Sequence, residues 1–141
     1  MNIYFACSIV GGRQDEGIYQ QLVQALLDDG HKVPTAANAG LLGAKGLESE
    51  MAPKDVYTRD TSWIDGCDVL IAEVSTPSHG VGYEISYALE RNKPVLCLAR
   101  RGARVSKMIT GNTMPGIENA DYADIDEAKN SMRKFIKSRL H

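Results

Sequence analysis

At 141 residues, with apolar and charged fractions of 43% and 24%, the chain has the size and composition of one domain, 1–141, whose core closes without metal or disulfide support. A formal net charge of −2 argues against general nucleic-acid binding but leaves room for a local anion site. No apolar run is long enough to cross a membrane, and the apolar start lacks a basic segment and a cleavage site, so the cytosol is the expected compartment.

The predicted elements alternate. Ile3-Tyr4-Phe5-Ala6 reads as a first strand, and Cys7 to Arg13 as a turn carrying Ser8, Gly11 and Gly12. Gln14 to about Asp29 has the spacing of an amphipathic helix, with Ile18, Leu22, Ala25 and Leu26 inward and Gly30 as its stop. His31 to Pro34 is a short strand. Residues 36–52 form a longer irregular connection of the kind that more often covers a site than fills space. Pro53 opens a helix to about Gly66, since proline suits a first turn. Val69 to Val74 is a continuous apolar run apart from Glu73, as expected of a strand buried on both faces. Pro77, Gly80 and Gly82 break it, and from Val81 the period becomes helical through Ile85, Ala88 and Leu89. Pro94 to Ala99 is a further strand, Val105 to Thr110 a short helix, 117–122 a weak edge strand, and Ile125 to Leu140 a closing helix. Such alternation predicts an α/β fold: a doubly wound, flavodoxin-like parallel sheet of five strands in the order 2-1-3-4-5. Cys7, Cys67 and Cys97 are odd in number and far apart, so reduced core thiols are expected.

In that order the switch point falls between strands one and three, and the loops 7–13 and 73–84 line the crevice. Ser8, Ile9, Val10, Gly11, Gly12 and Arg13 have the chemistry of a phosphate cradle: backbone N–H groups, a hydroxyl, a helix N-terminus and a bidentate cation. A tight turn with a surface arginine is the plainer alternative, and Asp15 and Glu16 oppose an anion unless they face outward. Glu84 sits in an opening helical turn past a strand's carboxyl end, as a ligand-facing group or simply as a dipole-matched residue. Glu73 competes with it. Asp60 shares a helical stripe with Val56, Trp63, Ile64 and Cys67, which turns a carboxylate toward the sheet; a functional role or a salt bridge to Arg59 or Arg91 both explain it. Tyr4 alternates away from Ile3 and Phe5. His31, His79 and His141 lack metal-ligand spacing and there is no Cys-x-x-Cys, so neither metal nor cofactor is expected. Ser8 and Ser78 lack a nucleophile-elbow context. The run Arg100, Arg101, Arg104 and Lys107 reads as a solvated face, with attraction of an anionic substrate to the same sheet edge as the alternative.

Taken together, Tyr4-Phe5-Ala6-Cys7-Ser8-Ile9-Val10-Gly11-Gly12-Arg13, Asp60 with Trp63-Ile64, and Ser78-His79-Gly80-Val81-Gly82-Tyr83-Glu84 resemble the 2′-deoxynucleoside 5′-monophosphate N-hydrolases of the nucleoside 2-deoxyribosyltransferase superfamily. The likeness runs in register over about residues 2–110. It implies cleavage of an N-glycosidic bond to free base and 2-deoxyribose 5-phosphate, with Glu84 as nucleophile and a covalent glycosyl-enzyme intermediate. It further implies Asp60 as the residue assisting base departure or orienting Glu84, and Tyr4 as the phenol contacting the nucleophile. Ser8, Ile9, Val10, Gly11, Gly12, Arg13, Ser78, Gly80 and Gly82 would cradle phosphate and sugar. The family carries a basic residue where Val10 stands, a histidine near Ala36, and a partner-chain serine near Gly116; Asn112 and Thr113 are the candidates to donate from a partner chain instead. A homodimer with its site near the interface is the implied assembly. Base exchange by a deoxyribosyltransferase, and a non-catalytic nucleotide-binding module, are the alternatives.

Overall fold

The structure, a computed structural model, describes residues 1–9, 15–37 and 51–140. The cradle residues Val10, Gly11, Gly12 and Arg13, and most of the connection 36–52, lie outside the described residues. Among the described residues, four parallel strands form one sheet in the order β1-β2-β3-β4. They are β1 (Ile3–Ala6), β2 (Val69–Glu73), β3 (Val95–Arg100) and β4 (Ile117–Tyr122). Tyr4 lies opposite Leu70, Ala72 opposite Cys97, and Leu98 opposite Ala120.

Strand alternation sends side chains into two cores. Ile3, Phe5, Ile71, Leu96 and Leu98 pack on one face against α1 (Glu16–Asp28) and α5 (Ile125–Arg139). Tyr4, Ala6, Leu70, Ala72 and Cys97 pack on the other against α2 (Pro53–Asp65) and α3 (His79–Glu90). A single turn, α4 (Lys107–Thr110), follows β3. Pro53 occupies the first turn of α2, as its missing N–H allows. Gly30 ends α1 at φ +89°, a conformation only glycine takes cheaply, and His31 N–H then reaches back to the Leu26 carbonyl at 3.1 Å. All three cysteines are buried and outside any disulfide, and burial pushes the Cys67 and Cys97 thiols up to about 11 and about 12.

Of the five strands expected from the sequence in the order 2-1-3-4-5, four form as strands among the described residues, and the expected second one is reduced to a single bridge beside β1. Residues 31–34 contribute one parallel bridge, Lys32 to Asn2, before the 3₁₀ turn Pro34–Ala37 begins. The reason is local. Pro34 has no N–H to continue a ladder, and the Thr35 hydroxyl takes the place of the next strand carbonyl, accepting from the Phe5 N–H at 3.1 Å. Thr35→Val preserves shape but removes that acceptor, stranding a buried N–H. Its expected cost is about 1–3 kcal/mol, read from the midpoint of urea unfolding; an unchanged midpoint would show that Phe5 finds another partner.

Candidate active site

A cavity of about 550 Å³ opens beside the carboxyl end of β1. Its floor is β1 itself, through Tyr4, Phe5, Ala6 and Cys7; one wall is α2, the other is the start of α3. Each wall is built by a helix that packs apolar side chains on the sheet and turns a carboxylate toward the cavity. On α3, Val81, Ile85 and Leu89 are buried, and Glu84, between two of them, lines the cavity. On α2, Ile64 is fully buried, and Asp60 one turn earlier lines the cavity with Val56. Ser78 caps α3, its hydroxyl oxygen accepting from the Val81 N–H at 3.3 Å, so the hydroxyl hydrogen remains available to another acceptor.

Three side chains spread over eighty positions of sequence converge here. The Tyr4 hydroxyl donates to Glu84 Oε2. Burial is the main cause that raises the Tyr4 phenol, followed by the charge of Glu84, its hydrogen bond and the charge of Asp60, with Arg59 acting in the opposite sense. Tyr4 therefore stays protonated at any working pH and keeps one Glu84 oxygen fixed. Asp60 Oδ1 is paired with Arg59 at 2.9 Å, and that pair is mostly buried. The salt bridge weighed as the alternative for Asp60 thus coexists with its place on the cavity wall; Arg91 pairs with Asp65 instead.

Of the other residues singled out in the sequence, Ile9, Ser78 and Gly80 line the cavity. Ser8 is buried next to it, Gly82 lies within α3 outside the lining, and the Asn112 side chain accepts from the Met114 N–H of its own turn at 2.9 Å. Glu73 does not compete with Glu84. Strand parity turns it to the opposite face, where it is fully buried and accepts from the Ser75 N–H and hydroxyl and from the Tyr122 hydroxyl. Asp15 faces inward on that same side and binds Arg100 and Thr76. Arg100 is accordingly not part of a purely solvated run. Sequence reasoning missed Thr35, Tyr57, Thr61 and Tyr83 as lining residues. Tyr57, three positions before Asp60, was legible from helical spacing; Thr35 gave no signal. The Tyr57 and Tyr83 hydroxyls approach to 3.3 Å across the rim.

Residues 3–132 match the family model described as nucleoside 2-deoxyribosyltransferase. The chain belongs to that family. Within it, the chain is 40% identical over 141 residues to the 5-hydroxymethyl-dUMP N-hydrolase of Danio rerio, covering 98% of this chain and 97% of the relative. It is 41% identical over 130 residues to a protein of Thermofilum pendens provisionally named 2′-deoxynucleoside 5′-phosphate N-hydrolase 1, covering 91% and 90% of the two chains. The CMP N-glycosidase of Clostridium botulinum superposes with a TM-score of 0.68 at 20% identity, over 93% of this chain and 97% of that one, which places this family member in the same fold.

Proposed function

We propose that this enzyme hydrolyses the N-glycosidic bond of 2′-deoxynucleoside 5′-monophosphates, giving free base and 2-deoxyribose 5-phosphate. The observation that carries the reading is the Tyr4–Glu84 hydrogen bond on a cavity whose opposite wall presents Asp60. Breaking the bond from C1′ to the base nitrogen leaves positive charge on the sugar and an electron pair on the base. Glu84 answers the first: its Oε1 attacks C1′, forming a glycosyl ester as the base leaves with the electron pair. Asp60, across the cavity, is the group that faces the departing base, which takes up a proton from solvent. Water then attacks C1′, the ester bond breaks and the Glu84 carboxylate is regenerated; the water proton leaves to solvent. Tyr4 holds Glu84 in one orientation throughout. The Ser78 hydroxyl and the N-terminus of α3 suit a 5′-phosphate, because helix amides and their dipole favour an anion there. The similarity to N-hydrolases of deoxynucleoside 5′-phosphates supports the substrate class.

The family description favours one second reading, transfer of the deoxyribosyl group to another base instead of water. Incubating the chain with dUMP or dGMP, with and without a second free base, separates the two by chromatography. Free base and 2-deoxyribose 5-phosphate in both cases support hydrolysis. A new nucleotide formed from the added base assigns transfer, and no release of base from any deoxynucleotide overturns both. A homodimer whose partner completes the phosphate site belongs to the same proposal.

A further inference from the structure

We propose that Arg59 is a positioning residue for Asp60, holding one carboxylate oxygen so that the other is presented to the bound nucleotide. The inference rests on the reading of the site given above. Adjacent residues on a helix diverge by about 100° and do not face each other, so an arginine meets the carboxylate of its next neighbour only if something folds it back. Here Trp63, one turn further along α2, does so: the Arg59 guanidinium lies 4.8 Å from the centre of the Trp63 ring. Met51 Sδ takes an Nη1 contact at 3.2 Å. In that pose both Nε and Nη2 reach the same oxygen, Asp60 Oδ1, each at 2.9 Å. Among the described residues nothing donates to Oδ2, and Asp60 lines the cavity.

Two further groups make this arrangement consequential. Tyr4 from β1 and Glu84 from α3 meet in the same cavity, so Asp60 and Glu84 place two carboxylates near one phenol. Among the described residues, the guanidinium opposes this accumulated negative charge, as its effect on Tyr4 indicates. Fixing Oδ1 also removes the rotation by which Asp60 would turn toward its own helix. A lysine in place of Arg59 keeps the charge but offers neither the planar fork nor the stacking face.

The test compares Arg59→Ala, Arg59→Met and Arg59→Lys with the parent chain, each checked for an intact thermal transition. Arg59→Met keeps an apolar stem against Trp63. Both Arg59→Ala and Arg59→Met are expected to lower kcat on a deoxynucleotide by about 10- to 100-fold, the scale of a misplaced catalytic group, with KM changed by less than about threefold. Added guanidinium restores part of the loss in Arg59→Ala, whereas the same concentration of sodium chloride does not. Unchanged kcat in both variants, or a loss that guanidinium fails to repair, overturns the proposal. A second readout is independent of turnover: in protein carrying isotope-labelled arginine, Asp60→Asn is expected to shift the Arg59 Nε–H resonance. If the parent chain cleaves no deoxynucleotide, the functional reading fails and this resonance decides the Arg59–Asp60 pairing alone. A resonance that Asp60→Asn leaves unmoved overturns that pairing.

Discussion

Glu84→Gln is expected to abolish turnover, by about three orders of magnitude or more, because in the proposed two-step route it removes the nucleophile rather than one of several stabilising contacts. Glutamine is isosteric and its carbonyl oxygen still accepts from the Tyr4 hydroxyl, so the fold and the cavity persist. Affinity for a deoxynucleotide, measured by titration calorimetry, should stay within a few-fold of the parent. Binding without hydrolysis is therefore the signature. Turnover of Glu84→Gln within tenfold of the parent removes the carboxylate from the chemistry, and a parent that binds but never cleaves marks a non-catalytic nucleotide-binding module. With the parent enzyme, rapid acid quenching followed by mass spectrometry should find 2-deoxyribose 5-phosphate attached to the peptide containing Glu84, and in the Gln variant it should not.

The second large effect lies on the opposite face of the sheet. Asp15 is 5% exposed and ties three elements together: Tyr19 of α1 at 3.5 Å, Thr76 after β2 and Arg100 at the end of β3. Asp15→Ala leaves the Thr76 hydroxyl and a guanidinium without their acceptor. Breaking a fully buried ion pair costs about 3–5 kcal/mol. The Arg100 side chain is 40% exposed, so water recovers part of its hydration and about 2 kcal/mol is the expected loss. That corresponds to a fall in Tm of about 5–10 °C by differential scanning calorimetry. The pH dependence has a definite sign. Burial, the largest influence on Asp15, raises its pKa, but the Thr76 and Arg100 bonds outweigh it and the net shift is below the ordinary 3.8. The unfolded chain thus binds this proton more readily than the native one. The stabilisation from Asp15 is present above the unfolded value and is lost as pH falls through the lower folded value. Stability profiles of parent and Asp15→Ala should converge on the acid side; parallel profiles down to low pH would count against the pairing.

Much of the fold followed from periodicity, because the elements that matter are strongly patterned. β1 and β2 are apolar on both faces, and the helical spacing of Val81, Ile85 and Leu89 survives as the buried face of α3. Asp60 inside the stripe of Val56 and Ile64 led to the cavity wall, and Tyr4 to the same cavity through strand parity. The same parity, applied to Glu73 two residues past Ile71, already separates it from Glu84. Nothing in the sequence marked Asp15 and Arg100 as partners. They are eighty-five positions apart, and each on its own reads as a charge at a surface turn. The expected second strand shrinks to one bridge for a comparable reason: Thr35 replaces a backbone acceptor with a side-chain one, and no periodicity encodes that exchange.

That exchange also shapes how copies of this chain can meet. The outer margin of β1 is occupied by Lys32 and Thr35, whose oxygens take the Ile3 and Phe5 N–H groups. At the far margin, β4 presents exposed Glu118, Asn119 and Asp121. An occupied flank on one side and charged side chains on the other, Glu118 paired with Arg139 and Asp121 with Arg101, hinder the pairing of incoming strands, which is how native sheets avoid fibril-like stacking. Among the described residues, the two margins of the sheet thus disfavour extending it from one molecule into the next.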